Sequence, residues 1–153
     1  EDVFKKGVAI ITREHLREMP EVKTLNYLTA VKSHNDPKNK NILEILYTWQ
    51  GQTLECTTSN FFIFKNNTLI TQNKNILKGV TRAAVLDLAR GSFDIEERGL
   101  SVQEIFSADE AFLTGSNKEI VPVVKIDGRK VGDGKVGKNT KFLINAFSHL
   151  TRA

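Results

Sequence analysis

Four short segments of the sequence contain side chains that could hold or act on a small molecule. The first, residues 21–28 (EVKTLNYL), contains Lys23 just ahead of apolar positions at helical spacing. A lysine next to apolar residues can be partly desolvated, and the neutral amine that desolvation favours can form an imine with an aldehyde. A lysine before an amphipathic helix is also an ordinary surface charge, so this segment alone assigns no function.

The second segment, residues 54–63 (LECTTSNFFI), places Glu55 ahead of small hydroxylic residues and an apolar run. A carboxylate can keep a nearby basic nitrogen of a ligand protonated, and the positive charge then withdraws electrons from a bound substrate. The alternative is a glutamate at a strand end, followed by hydroxylic residues in a capped turn. Cys56 has no histidine nearby in sequence to activate it, so we expect a small buried neighbour and not a nucleophile.

The third and fourth segments are candidates for holding a phosphate or a carboxylate. Residues 76–82 (ILKGVTR) open a helix with Gly79 and then Thr81. Free backbone amides and the positive end of the helix dipole attract phosphate at such a start, although many helices begin this way without a ligand. Residues 108–117 (ADEAFLTGSN) form an apolar strand that ends in a hydroxyl-rich glycine turn, which can present amides and hydroxyls to an anion.

The four segments, in this order, resemble the motifs of the class IV aminotransferases. That family of pyridoxal-phosphate enzymes includes branched-chain and D-amino-acid aminotransferases and aminodeoxychorismate lyase. The lysine motif, the glutamate-to-asparagine run, the glycine-containing helix start and the final turn all match, and so does Pro122 downstream. The resemblance covers residues 7–150. It implies a mixed α/β (α+β) fold, a pseudo-barrel of mixed strands with flanking helices, as in the large domain of the D-amino-acid aminotransferase-like fold.

The resemblance also implies a role for each matching residue. Lys23 would be the catalytic lysine that binds pyridoxal 5'-phosphate (PLP) covalently and moves the substrate proton. Glu55 would face the pyridine nitrogen, and Leu77 would pack against one face of the ring. The phosphate would be bound around the two glycine-containing segments, by Gly79, Val80, Thr81, Gly115 and Ser116. Substrate contacts would come from Ser116, Asn117 and Thr58, Arg82 would support the loop, and no metal is expected.

The implied function of the full-length protein is transfer of an amino group from an amino acid, of branched-chain or D type, to a 2-oxo acid. The same lysine and cofactor could instead serve an aminodeoxychorismate lyase, and nothing in the sequence separates L from D donors. A third possibility is a non-catalytic module that binds an anion or nucleotide through residues 132–139 (GDGKVGKN). This segment nearly matches a P-loop, but Asn139 replaces the hydroxyl that would hold magnesium, and residues 121–131 favour a hairpin.

Composition favours one soluble, cytoplasmic domain. The 153 residues, 40% of them hydrophobic, suffice for a single core. The single cysteine excludes an internal disulfide and a cysteine-rich zinc site and fits a reducing compartment. No apolar run approaches the roughly 20 residues of a membrane span, and no signal peptide is evident. The net charge of +4 is dispersed, so neither nucleic acid nor membrane is an expected partner.

The domain organisation follows from the resemblance. Residues 1–153 would form the cofactor-binding large domain, and the small N-terminal domain of the family would be absent from this chain. The first residue is Glu1 and the only methionine is Met19, so we expect a fragment of a longer protein. At full length that protein is expected to be a homodimer.

Hydrophobic periodicity and turn residues predict the elements that position the four segments. A strand is predicted at residues 7–13 and a helix at residues 24–35, ended by Asn35-Asp36-Pro37. An antiparallel meander is predicted at residues 42–49, 52–56, 61–65 and 68–71, with turns at Gln50-Gly51 and Asn66-Asn67. A helix with apolar positions Val80, Ala84, Val85 and Leu88 should close at Gly91. Strands follow at residues 93–97, 110–113 and 121–126, with a short helix at 102–106, a turn at Asp127-Gly128 and a last helix at 140–150.

Overall fold

A computed structural model describes residues 2–23, 28, 31–32 and 35–153 of the chain. Most of the predicted helix at residues 24–35 therefore lies outside the described residues. Leu28, Val31 and Lys32, which do belong to the described part, have helical backbone conformation.

Strands and helices alternate along the described residues, which confirms the predicted mixed α/β class. The strands are β1 (Val8–Glu14), β2 (Ile42–Trp49), β3 (Gln52–Cys56), β4 (Asn60–Lys65), β5 (Thr68–Thr71), β6 (Asp94–Glu97), β7 (Glu110–Gly115), β8 (Glu119–Ile126) and β9 (Arg129–Lys130). The helices are α1 (Asp2–Lys6), α2 (Val80–Ala89), α3 (Val102–Phe106) and α4 (Lys138–Arg152), with a 3-10 turn at Pro37–Asn39. None of the described helices is long and apolar enough to span a membrane.

The strands form one curled mixed sheet in the order β3-β2-β1-β8-β7-β4-β5-β6, with β9 paired to β8. Strand β1 runs parallel to both of its neighbours, and β5 runs parallel to β6. The predicted four-stranded meander is wrong, because β2–β3 and β4–β5 are separate hairpins and β4 pairs with β7. Turn residues specify only the local pairings, whereas the β4–β7 pairing depends on core contacts such as the stacked rings of Phe62 and Phe112.

The three predicted hairpin turns are confirmed. Gln50-Gly51, Asn66-Asn67 and Asp127-Gly128 all have positive φ at both residues. That is the backbone of a two-residue type I′ turn, which matches the twist of the two strands it joins.

Strand β4 is buried on both faces, which explains its uninterrupted apolar run. Phe61 and Ile63 belong to one core cluster, whereas Phe62 and Phe64 belong to another. Alternate residues of a strand point to opposite faces, so each face of the sheet has its own core. The second cluster also contains Val85 and Leu86 of α2 and Leu143 and Phe147 of α4. The two helices therefore cover one face of the sheet.

One prediction for helix α2 is wrong. Val80 is 83% exposed, so it does not belong to the apolar face that buries Val85 and Ala89. As the first residue of the helix, Val80 lies at its open end and not against the sheet. The helix ends at Ala89 with Arg90 as its cap, so Gly91 directly follows the cap, at the predicted end of the helix, although without the left-handed backbone common at that position.

The start of helix α4 is occupied by the buried carboxylate of Glu110. Its Oε1 accepts a hydrogen bond from the Asn139 N–H (3.1 Å), and its Oε2 accepts from the N–H (2.7 Å) and Oγ1 (2.7 Å) of Thr140. The preceding residues form the β8–β9 hairpin, as predicted. A carboxylate of the chain thus already binds the amides that a phosphate would need, which argues against the nucleotide-binding alternative.

We predict that Gly137→Ala destabilises the protein through this contact. A Cβ at Gly137 would lie 2.0 Å from Cδ of Glu110, so the carboxylate must move and lose hydrogen bonds to the helix start. The expected cost is roughly 2–3 kcal/mol of unfolding free energy, measured by urea denaturation. Gly91→Ala is the matched control, because nothing lies within 4 Å of its Cβ. An equal loss of unfolding free energy in the two variants would contradict the role of the contact between Gly137 and Glu110.

Candidate active site

One cavity of about 280 Å³ lies where the β3–β4 connection, the start of α2 and the end of β7 meet. Its walls include every residue predicted from the sequence to contact cofactor or substrate: Lys23, Glu55, Thr58, Leu77, Gly79, Val80, Thr81, Gly115, Ser116 and Asn117. Four segments that are distant in sequence therefore form one site. The role of each residue stays a prediction.

The charges of the lining residues favour an anionic ligand. Arg17, Lys23, Arg82 and Lys118 are cationic, and Glu55 is the only acidic side chain among the described residues that line the cavity. A concave site with an excess of positive charge raises the local concentration of anions. Three of these cations are already paired with carboxylates, Arg17 with Glu55, Arg82 with Glu97 and Lys118 with Glu44, so the excess of positive charge at this wall is small.

Glu55 is held in place by three neighbours and is only 5% exposed. The Leu77 N–H donates to both of its oxygens (3.2 Å each), Nη1 of Arg17 donates to Oε1 (3.0 Å), and Nδ2 of Asn60 donates to Oε2 (3.3 Å). Burial raises the pKa of Glu55 to about 7, although the Leu77 N–H and Arg17 act in the opposite direction. The carboxyl group therefore titrates near neutrality at the wall of a cavity.

Asn60 connects Glu55 to the start of α2. Its Nδ2 also donates to the Leu77 carbonyl (2.6 Å), and its Oδ1 accepts from the Gly79 N–H (3.2 Å). The sequence pattern contained this asparagine without a role for it. No sequence pattern pointed to Arg17, because it is 38 positions from Glu55 and a single arginine has no periodicity.

The start of helix α2 opens toward the cavity. Gly79, the N-cap, provides no side-chain cap, and the first N–H groups of a helix have no partner within it. Thr81 is buried beside these amides at the cavity wall. Arg82 donates from Nη2 to the Gln72 carbonyl (3.1 Å) and to Oε2 of Glu97 (2.9 Å), so it supports the loop, as expected.

The turn after β7 forms another part of the wall. Gly115, Ser116 and Asn117 line the cavity, and the last two are exposed there. Oγ1 of Thr114, one residue earlier, is buried at the same wall and has no hydrogen-bond partner among the described residues.

Lys23 lines the cavity, but its surroundings differ from the expectation. Both Lys23 and its neighbour Val22 are exposed in this chain. The partial desolvation expected from adjacent apolar residues is therefore not found. Val22 is 51% exposed, and the apolar residue on the other side, Leu25, lies outside the described residues.

Comparison with known proteins places this geometry in a family. The profile described as amino-transferase class IV matches residues 5–126. The chain is 35% identical over 153 residues to branched-chain-amino-acid aminotransferase-like protein 1 of Arabidopsis thaliana, covering 95% of this chain and 28% of the relative. It is 34% identical over 148 residues to D-alanine aminotransferase of Listeria innocua serovar 6a, covering 94% and 51%.

Solved structures share the fold. The crystal structure of a branched-chain amino acid aminotransferase from Thermobaculum terrenum in its PLP form superposes with a TM-score of 0.83 and 27% identity, over 94% of this chain and 50% of that one. The chain thus spans about half, or less, of the length of the proteins that it matches. Sequence, fold and cavity agree, and the chain belongs to the class IV aminotransferase family.

Proposed function

We propose that the protein containing this chain is a PLP-dependent aminotransferase that moves an amino group from an amino acid to a 2-oxo acid. The observation that carries the proposal is that Lys23, Glu55 and the start of helix α2 line one cavity. An amine, a buried carboxylate and a set of free amides are the three groups that PLP requires at its aldehyde, its ring nitrogen and its phosphate.

The residues present fit this cofactor. Lys23 would bind the aldehyde carbon, Glu55 would face the ring nitrogen, and Leu77 would pack against the ring. The amides of Val80 and Thr81, the Thr81 hydroxyl and the Gly115 turn would bind the phosphate. When bound, PLP supplies an electron-withdrawing ring that stabilises negative charge on the substrate α-carbon.

The chain's own groups would then do two tasks. The Lys23 amine, once free, would take the proton from the substrate α-carbon and return it to the cofactor carbon as a general base and then a general acid. Glu55 would keep the ring nitrogen protonated, and Arg17 and the Leu77 N–H would hold its carboxylate in position. Ser116, Asn117 and Thr58, which also line the cavity, are proposed to bind the substrate carboxylate.

The proposed donors are branched-chain or D-amino acids, because the relatives that match carry those names. All of the relatives described above are named aminotransferases, which favours transfer over the lyase reaction. By resemblance to the family, we also propose a cytoplasmic homodimer.

Covalent capture of PLP tests the proposal. The full-length protein is incubated with PLP and reduced with borohydride, and the labelled peptide is identified by mass spectrometry. We expect the label on Lys23 and its loss in Lys23→Ala. Lys78→Ala is the matched control, because Lys78 is exposed and adjoins the same phosphate segment but does not line the cavity. Absence of labelling, or labelling that Lys23→Ala does not remove, would overturn the proposed function.

A further inference from the structure

We propose that Glu44 and Lys118 are positioning residues that fix two of the loops lining the cavity. The inference rests on the proposed function and adds two residues that the sequence motifs do not contain. One loop is the β3–β4 connection, residues 57–59, and the other is the turn after β7, residues 115–118. We call the two residues the Glu44–Lys118 pair.

Glu44 lies on strand β2 and is buried, with only 2% of its surface exposed, and its carboxylate accepts several hydrogen bonds. Its Oε2 accepts from the Thr58 N–H (3.0 Å), and its Oε1 accepts from Oγ1 of Thr58 (2.8 Å) and Oγ of Ser59 (2.7 Å). One carboxylate thus fixes a backbone amide and two of the three hydroxyls of the β3–β4 connection, those of Thr58 and Ser59.

Lys118 brings the second loop to the same carboxylate. Its Nζ donates to Oε1 of Glu44 (2.6 Å) and to Oγ1 of Thr58 (2.6 Å), although Lys118 is 74 positions from Glu44 along the chain. Lys118 lines the cavity, and its side chain is 30% exposed. The ammonium group therefore ties the β7 turn to the β3–β4 connection at the cavity wall.

The two loops are also in close contact at Gly115. A Cβ there would lie 3.2 Å from Oγ of Ser59 and 3.3 Å from the carbonyl oxygen of Thr58. The Lys118 N–H donates to the Gly115 carbonyl (3.1 Å), which closes the turn around Ser116 and Asn117. A shift of the Glu44 carboxylate would move Ser59 and, with it, the backbone that is proposed to contact the phosphate and the substrate.

The location of the pair favours positioning over stability. An ion pair with one buried charge adds little stability compared with apolar residues of the same volume, because the Glu44 carboxylate is desolvated. It does fix relative geometry, since hydrogen bonds with a charged partner are short and directional. Here it fixes the two loops that carry Thr58, Gly115, Ser116 and Asn117.

The test compares Glu44→Gln, Lys118→Met and the double variant in the full-length protein. Two quantities are measured: the PLP dissociation constant, by absorbance titration, and amide hydrogen exchange of residues 57–60 and 115–118 without PLP. We expect PLP to bind about 10- to 100-fold more weakly to each single variant, the range typical when a supporting contact is lost. The amide hydrogens of both loops should exchange faster in each variant. The loss of PLP affinity in the double variant should be smaller than the product of the fold-losses in the two single variants.

Glu110→Gln is the control for a purely structural effect. Glu110 is also a buried carboxylate that accepts from backbone and hydroxyl groups, but it caps α4 and does not line the cavity. The Glu110→Gln substitution should lower the unfolding free energy. It should leave PLP affinity and the amide exchange of both loops within about twofold of the unsubstituted protein.

Unchanged loop exchange in Glu44→Gln, or an equal loss of PLP affinity in Glu110→Gln, would overturn the inference. Failure of the proposed function has a different signature, since Lys23 would then not be labelled by PLP and borohydride. In that case the exchange experiment, which needs no PLP, decides for or against the Glu44–Lys118 pair.

Discussion

Replacing Lys23 with alanine is expected to lower kcat by about 10²- to 10⁴-fold, the range that a positioned acid–base group contributes. The lysine amine is the only proposed carrier of the substrate proton, and no other described residue is assigned that task. PLP should remain bound, because the amides of Val80 and Thr81 and the Gly115 turn do not depend on Lys23. The measurements are kcat and KM with an amino donor, and PLP retention after dialysis.

The control and a rescue experiment separate this effect from misfolding. Lys78→Ala removes an exposed lysine of the phosphate segment and should leave kcat within about twofold, since surface substitutions rarely matter. A small primary amine such as methylamine should restore part of the activity of Lys23→Ala, because it can occupy the vacated volume and carry the proton. A kcat of Lys23→Ala within about tenfold of the unsubstituted protein would contradict the assigned role.

Local chemistry made much of the fold predictable. The Gln50-Gly51, Asn66-Asn67 and Asp127-Gly128 turns follow from residues that tolerate positive φ, and the structure has them. The continuous apolar run of β4 predicts a buried strand, and both of its faces are covered. What could not be predicted is which strand β4 pairs with, because that choice depends on residues about 50 positions away.

The site divides in the same way. Four of the residues that line the cavity occur in short motifs: Lys23, Glu55, Thr81 and Gly115. The order of these motifs along the chain was enough to predict that they share one site. Arg17 and the Glu44–Lys118 pair lie outside those motifs and are joined to them only by the fold. Side chains that support a site through distant contacts have no periodicity or local spacing, so a single sequence gives no signal for them.

Glu55 should make the stability of the protein without PLP depend on pH. Its pKa is raised from 4.5 to about 7 by burial, so the folded chain favours the protonated carboxyl. Between these pH values the folded state binds more protons than the unfolded state, and the free energy of unfolding therefore falls as pH rises. The full decrease, about 3 kcal/mol at about 1.4 kcal/mol per pKa unit, is reached above pH 7 and is absent below pH 4.5.

Urea unfolding of the unsubstituted protein and of Glu55→Gln, both without PLP and at several pH values between about 4.5 and 8, measures this contribution. The variant should lack the decrease, so the difference between the two unfolding free energies isolates Glu55. Loss of the Arg17 contact shifts the variant by a constant amount, since a guanidinium stays charged throughout this range. Bound PLP should flatten the dependence, because a protonated ring nitrogen beside Glu55 favours its carboxylate. If the unfolding free energies of the two proteins change equally with pH, the Glu55 carboxyl group does not titrate in this range.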